Sequence, residues 1–286
     1  MADRLFDRIL IVDWSAANKP KTGADSIWIS DSHAPSSNPA TRAQAMQSIE
    51  TIIAETLSKQ QHLLIGWDFA FSYPQGFAKA LGYQNRAALW SALYEQITDT
   101  NRNQSNRFDV AAKLNQRLGS DLGPFWGYVG KACPDGLSPK RYDPDTPAEW
   151  PYPAFDYLRQ VERWLPSASP VFKLAYTGSV GSQALLGIAR LEGLRRQFEG
   201  QIALWPFDTG FAEDLSAPVI CAEIYPSSHI VPDGPAVKDQ RQVEAVLCDF
   251  LSWDAGGSLR EKLNAPDLTG EARHAAQSEE GWVVGL

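Results

Sequence analysis

Cysteine is scarce in this 286-residue chain, with three residues at positions 133, 221 and 248 and no Cys-x-x-Cys pair. That count and spacing argue against a disulfide framework or a zinc ribbon. The four histidines, His33, His62, His229 and His274, are scattered and give no metal-ligand spacing. No apolar run approaches the roughly 18 residues that suggest a membrane span. The polar start, Met1-Ala2-Asp3-Arg4-Leu5-Phe6-Asp7-Arg8, has no apolar signal core, so no membrane partner and a cytoplasmic location are expected. No Gly-Lys-Ser/Thr phosphate loop and no Gly-x-Ser-x-Gly nucleophile elbow occur. Positive charge is also short: 26 Lys and Arg stand against 34 Asp and Glu, for a net charge of −8. This argues against a broad basic face for duplex DNA. It leaves room for short or single-stranded substrates taken with the help of a metal.

Apolar residues are plentiful, at 44 % of the chain, enough for an ordinary core in one large domain. Tryptophan is unusually frequent, with ten residues, many beside acids or prolines. Most are expected to fill the core and some to line a cleft.

Three short apolar runs end in a carboxylate: Ile9–Val12 in Asp13, Leu63–Trp67 in Asp68, and Val219–Ala222 in Glu223. Continuous runs of this length read as strands buried on both faces of a sheet. An ionised carboxylate there is costly unless a cation or a basic side chain lies beside it. Around these runs the pattern predicts a strand at Arg8–Asp13 and a second, antiparallel strand at Ser26–Ile29. It predicts a loop over Ser32–Asn38, a helix from Thr41 to about Lys59 and a strand at His62–Asp68. After Pro74 the chain becomes rich in aromatics, Gly and Pro up to about Gln183. That segment reads as an insertion or cap over 75–183, within a single domain of residues 1–286. It has helices at Arg86–Ile97, Asp109–Leu118 and Phe155–Leu165, and an irregular section over Gly119–Pro153. A helix at Ala184–Arg195, strands at Ile202–Trp205 and Val219–Ile224, and a helix at Val237–Trp253 follow. Asp239 and Gln242 suggest a capping box. Trp282 and Val284 are placed to pack the tail back on the body.

Asp13, Asp68 and Glu223 are the candidate catalytic and metal-binding acids, with Asp239 as a fourth ligand or only a helix cap. Structural alternatives are turn-capping roles for Asp13 and Asp68, and an ion pair of Glu223 with Lys238, Arg241 or another base. Ligands that are all oxygen suit Mg²⁺ or Mn²⁺ rather than zinc. Such ions activate water and stabilise the leaving oxygen of a phosphodiester. The stretch Lys173–Gln183 holds Gly178, Ser179 and Gly181, where backbone N–H groups could meet an anion at a helix start, or simply form a tight turn. Ser15, beside Asp13, permits close approach of a phosphate. Arg107, Lys113, Arg117 and Lys173 are further candidate phosphate contacts or solvated surface cations.

Six segments carry a family resemblance: Val12–Ala17, Gly66–Pro74, Gly123–Gly127, Gly178–Gln183, Ala222–Pro226 and Glu279–Gly285. Together they resemble, nearly end to end, a bacterial family of unknown function whose members are described as predicted nucleases with an RNase H-like fold. The resemblance implies an α/β, RNase H-like mixed sheet flanked by helices, with an α-rich insertion after the Asp68 strand. It matches Asp13, Asp68 and Glu223 to the family's acids. Enzymes of that fold usually add an acid from a C-terminal helix, for which Asp239, Glu244 and Asp249 are the choices here. The expectation is a Mg²⁺- or Mn²⁺-dependent phosphodiester hydrolase acting on small or single-stranded nucleic acid. The alternatives are a nucleotide- or phosphate-binding ATPase-like protein, a cofactor-biosynthesis protein (some relatives carry labels tied to molybdopterin-nucleotide synthesis), and a non-catalytic binding protein.

Overall fold

The computed structural model describes residues 4–119, 123–141, 150, 152–165, 167–264, 268 and 270–286. The first three residues and much of the irregular 119–153 stretch lie outside these. The chain runs β1 (Arg8–Asp13), β2 (Trp28–Asp31), β3 (Ala34–Ser37), α1 (Arg42–Ser58) and β4 (Leu63–Asp68). It continues through α2 (Phe77–Ala80), α3 (Arg86–Gln96), α4 (Arg107–Arg117), α5 (Gln160–Trp164) and α6 (Val180–Gln197). Then come β5 (Ile202–Leu204), β6 (Val219–Glu223), α7 (Lys238–Ala255), α8 (Leu259–Lys262) and α9 (Gly270–Ala275). The result is an α/β protein with a six-stranded mixed sheet in the order β3-β2-β1-β4-β6-β5. β1, β2 and β3 are joined antiparallel; β1, β4, β6 and β5 run parallel.

Helices cover both faces, and strand alternation decides which residues each face receives. Leu10, Val12, Leu63, Ile65, Val219 and Cys221 pack with α1, α3, α4 and α6. Ile9, Ile11, Leu64, Ile220 and Ala222 pack with Val243, Val246 and Phe250 of α7 and with Trp282 and Val284 of the tail. Gly66 lies on this second face. A Cβ there would come within 2.8 Å of Ile224 and 2.9 Å of Ile11, so only glycine lets the two isoleucines close over the strand.

The segment after β4 shares the first core. Tyr73, Phe77, Phe125 and Phe172 form a continuous ring cluster with centroids 4.8–5.9 Å apart. Most of their contacts are edge-on, the arrangement the ring quadrupole favours. Thr41 caps α1 by accepting from Gln44 N–H at 3.2 Å.

Several expectations are corrected. The Ser32–Asn38 stretch holds an edge strand, β3, whose turn-like composition conceals it; Pro35 is tolerated because an edge strand needs no complete ladder. Of Phe155–Leu165 only Gln160–Trp164 is helical. The Asp239–Gln242 capping box does not form: the cap is Val237, without a side-chain bond, and the Asp239 carboxylate accepts from Asp25 N–H instead. Among the described residues no helix is long and apolar enough to cross a membrane.

Candidate active site

β1 and β4 are parallel neighbours, and Asp13 stands directly opposite Asp68 at their carboxyl ends. Open α/β sheets bind ligands at the carboxyl ends of their parallel strands. Equal register on parallel strands sends both side chains to one face, the face of Ile11 and α7. Among the described residues neither carboxylate has a donor or a cationic partner; the groups acting on them are other acids. The Asp13 carboxyl is pushed well above the ordinary carboxylate range, first by burial and then by Asp68, Asp239 and Asp25. Asp68 is pushed up to about 7 by burial, then by Glu223 and Asp239. Two adjacent carboxylates in such surroundings retain a proton or attract a cation.

Both acids open into a cleft of about 650 Å³. Of the residues expected at a site, Ser15, Gly178, Ser179 and Asp239 line it with them. Two others do not. The Lys173 ammonium donates to the Thr177 carbonyl, and Gly181 N–H donates to the Lys173 carbonyl at 2.8 Å. Both donors are consumed in closing the turn, so that stretch presents only its Gly178–Ser179 tip. The cleft also takes Lys21, Lys238, Tyr176 and Gln183, none of which the sequence marks as chemical. Tyr176 and Gln183 come from the Lys173–Gln183 stretch, Lys21 from the β1–β2 connection and Lys238 from α7, and no spacing rule connects the three segments. Arg107, expected as a phosphate contact or a solvated surface cation, lines it as well.

Glu223 is in a different situation. It is level with Trp67, one residue before the acid row, and alternation turns it from the face of Asp68. The β6 residue next in line with Asp68 is Ile224, whose N–H donates to the Trp67 carbonyl at 3.0 Å. The Glu223 carboxylate is gripped by Arg159 at 2.7 and 2.8 Å and accepts from Phe71 N–H at 3.0 Å. Arg159 also reaches Glu162 at 2.9 Å and the Glu280 carbonyl at 3.0 Å. In place of a third metal ligand, Glu223 therefore takes the structural alternative of an ion pair: its charge is matched by a guanidinium, and the base is Arg159, neither Lys238 nor Arg241. Arg159 lies 64 residues away in sequence, which hides the pairing.

The acids proposed from the C-terminal helix divide similarly. Glu244 accepts from Gln240 at 2.9 Å, and Asp249 meets the His229 ring at 2.7 Å. Only Asp239 lies along the cleft. Among the described residues no group of three or more His, Cys, Asp or Glu side chains is arranged to hold a metal ion. The donor set still fits a particular kind of site. Mg²⁺ is often held by one or two carboxylates, with water and substrate phosphate completing its shell. Asp13 and Asp68 supply two hard, otherwise unmatched oxygen donors of that kind. An all-protein cage does not fit. Comparison with protein-family models, with curated proteins and with solved structures found no match to this chain.

Proposed function

We propose that the protein is a Mg²⁺- or Mn²⁺-dependent phosphodiester hydrolase on an RNase H-like fold, acting on small or single-stranded nucleic acid. The sheet order, with an antiparallel three-strand start and β4 parallel beside β1, supports the fold reading. One observation carries the functional reading: two neighbouring carboxylates at the carboxyl ends of parallel strands, unmatched by any base among the described residues and open to a cleft. Asp13 and Asp68 would hold the ion. When bound, the ion would supply Lewis acidity toward a phosphoryl oxygen and a more acidic water. The chain's own contribution begins with a proton: with a pKa of about 7, Asp68 keeps one near neutrality and releases it as a cation binds. Lys21 and Lys238, along the cleft, offset the phosphate charge that the acids repel. The cleft walls limit the substrate to something slim.

The test is cleavage of a short single-stranded oligonucleotide in Mn²⁺. Asp13→Asn is expected to abolish turnover, by at least about a hundredfold, with the circular-dichroism spectrum and melting curve intact. Full activity in that variant refutes the assignment. A second reading, a nucleotide-binding protein without hydrolysis, draws on Ser15, Gly178 and Ser179 sharing the cleft. It predicts thermal stabilisation by nucleotide with no turnover in wild type.

A further inference from the structure

The two walls of the cleft differ in charge. The sheet and α7 side carries Asp13, Asp25, Asp68 and Asp239, with Lys21 and Lys238. The wall from the segment after β4 and the start of α6 carries Arg107, Phe108, Tyr176, Gly178, Ser179 and Gln183 among its polar and aromatic residues, and no acid. Among the described residues Arg107 is the one cation on that wall, and it is only 5 % exposed. A buried guanidinium is normally matched by a carboxylate. This one is held entirely by neutral oxygens. Its Nε donates to Ser182 Oγ at 2.9 Å, and its Nη1 donates to Ser105 Oγ at 2.9 Å and to Asn18 Oδ1. The guanidinium lies 4.5 Å from the Phe108 ring centroid.

The neighbouring carboxylate, Asp99, is already taken: Arg42 binds it at 2.7 Å and Arg190 at 3.0 Å. Two guanidiniums thus occupy that carboxylate, and the third, Arg107, sits at the cleft without one among the described residues. Burial, followed by repulsion from Arg42, lowers the Arg107 pKa to about 10, which still leaves it charged at neutral pH. Among the described residues no protein acceptor meets its Nη2.

Tyr176 stands on the same wall. The residue is 51 % exposed, yet its hydroxyl is fixed by donation toward the Tyr128 carbonyl at 3.2 Å and the Pro139 carbonyl at 3.1 Å. Its backbone adopts φ +72°, a left-handed conformation unusual for a bulky residue. An exposed aromatic ring on a strained, tethered backbone is suited to present a flat face to a ligand.

We propose that this wall binds a nucleoside monophosphate group, with a phosphate oxygen on Arg107 and the planar base against Tyr176. The free nucleotide and the phosphorylated end of a strand share this chemistry. The proposal deepens the hydrolase reading by naming what the substrate presents to the far wall, and it needs neither metal nor turnover.

The experiment is calorimetric titration of the full chain in EDTA with AMP, adenosine, inorganic phosphate and a 5′-phosphorylated dinucleotide. AMP is expected to bind at least about tenfold tighter than either adenosine or phosphate. A dinucleotide tighter than AMP marks a strand end as the source; the reverse marks the free nucleotide. Arg107→Lys, which keeps the charge but loses the planar fork, should weaken AMP about tenfold and leave adenosine unchanged. Tyr176→Ala, at an exposed position, should weaken AMP and adenosine several-fold and spare phosphate. Undiminished AMP binding in Arg107→Lys overturns the proposal even if the more drastic Arg107→Gln fails to fold. So does wild type that binds AMP no better than adenosine, or not at all at millimolar concentration. Wild type that binds AMP in EDTA but does not cleave the oligonucleotide in Mn²⁺ sinks the hydrolase reading alone, and wild type that cleaves it but binds no AMP in EDTA sinks this site alone, so the two failures are distinguishable.

Discussion

Two groups of carboxylates lie near the carboxyl end of the same sheet, and the fold treats them oppositely. Glu223, Glu162 and Glu280 surround Arg159, and almost every oxygen has a donor. Arg159 N–H reaches Glu162 at 3.1 Å, Gln75 N–H reaches Glu280 at 2.8 Å, and Gln160 N–H reaches the other Glu280 oxygen. This cluster ties β6, the segment after β4 and the C-terminal tail into one unit. Asp13 and Asp68, on the neighbouring strands β1 and β4, receive none of this. Burial without matching groups makes a carboxylate reactive or cation-seeking, whereas burial with a full donor set makes it a structural fastener. Similar apolar runs ending in acids have thus led to opposite chemistry.

The contrast breaks most visibly through Arg159. Arg159→Met would strand Glu223 and Glu162 in a buried site, and the expected loss is about 3–5 kcal/mol, read by urea unfolding at pH 7. A loss below about 1 kcal/mol would make the cluster incidental. The second effect is in pH. The Asp68 pKa rises on folding from 3.8 to about 7, so proton uptake stabilises the folded state fully below pH 3.8. That contribution fades as pH climbs to about 7. Asp68→Asn should flatten this part of the profile and raise stability at pH 8 by about 1–2 kcal/mol, allowing for a side chain still partly open to solvent. An unchanged profile would show that the pair is not strained.

A smaller effect separates the clusters by metal. Millimolar Mn²⁺ should raise the melting temperature of wild type and of Glu223→Gln by a few degrees, and that of Asp13→Asn not at all. A shift lost in Glu223→Gln instead would return that residue to the ion site. The smallest effect belongs to the rim. Asp239→Ala should weaken Mn²⁺ several-fold and lower stability by about 1 kcal/mol, the usual scale for one lost hydrogen bond, here that from Asp25 N–H.

Much of the frame was legible because it rests on local pattern. The strand Arg8–Asp13 agrees to the residue, and α1, β4, α3 and β6 agree within one or two positions at each end. Continuous apolar runs and a 3.6-residue period leave few alternatives over such lengths. The edge strand β3 was not legible, since Ala34–Ser37 has no apolar run and is held by pairing with β2. At the site, Asp13 and Asp68 were visible as acids ending buried strands. The third acid misled because the pattern that marks Glu223 carries no information about register. Arg107 was legible only as one of four candidate phosphate contacts or solvated cations: whether a cation is solvated or buried depends on Ser182, Ser105 and Asn18, contributed by different parts of the chain.

Sequence by itself determined the buried strands, their main helices and the presence of a carboxylate at the end of three of them, because apolar periodicity and side-chain charge act within a few residues. Tertiary structure alone decided which carboxylates stay unmatched. Strand register sets Asp13 level with Asp68 and leaves Glu223 one residue out of step, and chain folding brings Arg159 to Glu223 and, among the described residues, no base to the aspartates. Coulomb energy in a poorly hydrated site depends on which charges meet there, and that follows from the packing of distant segments.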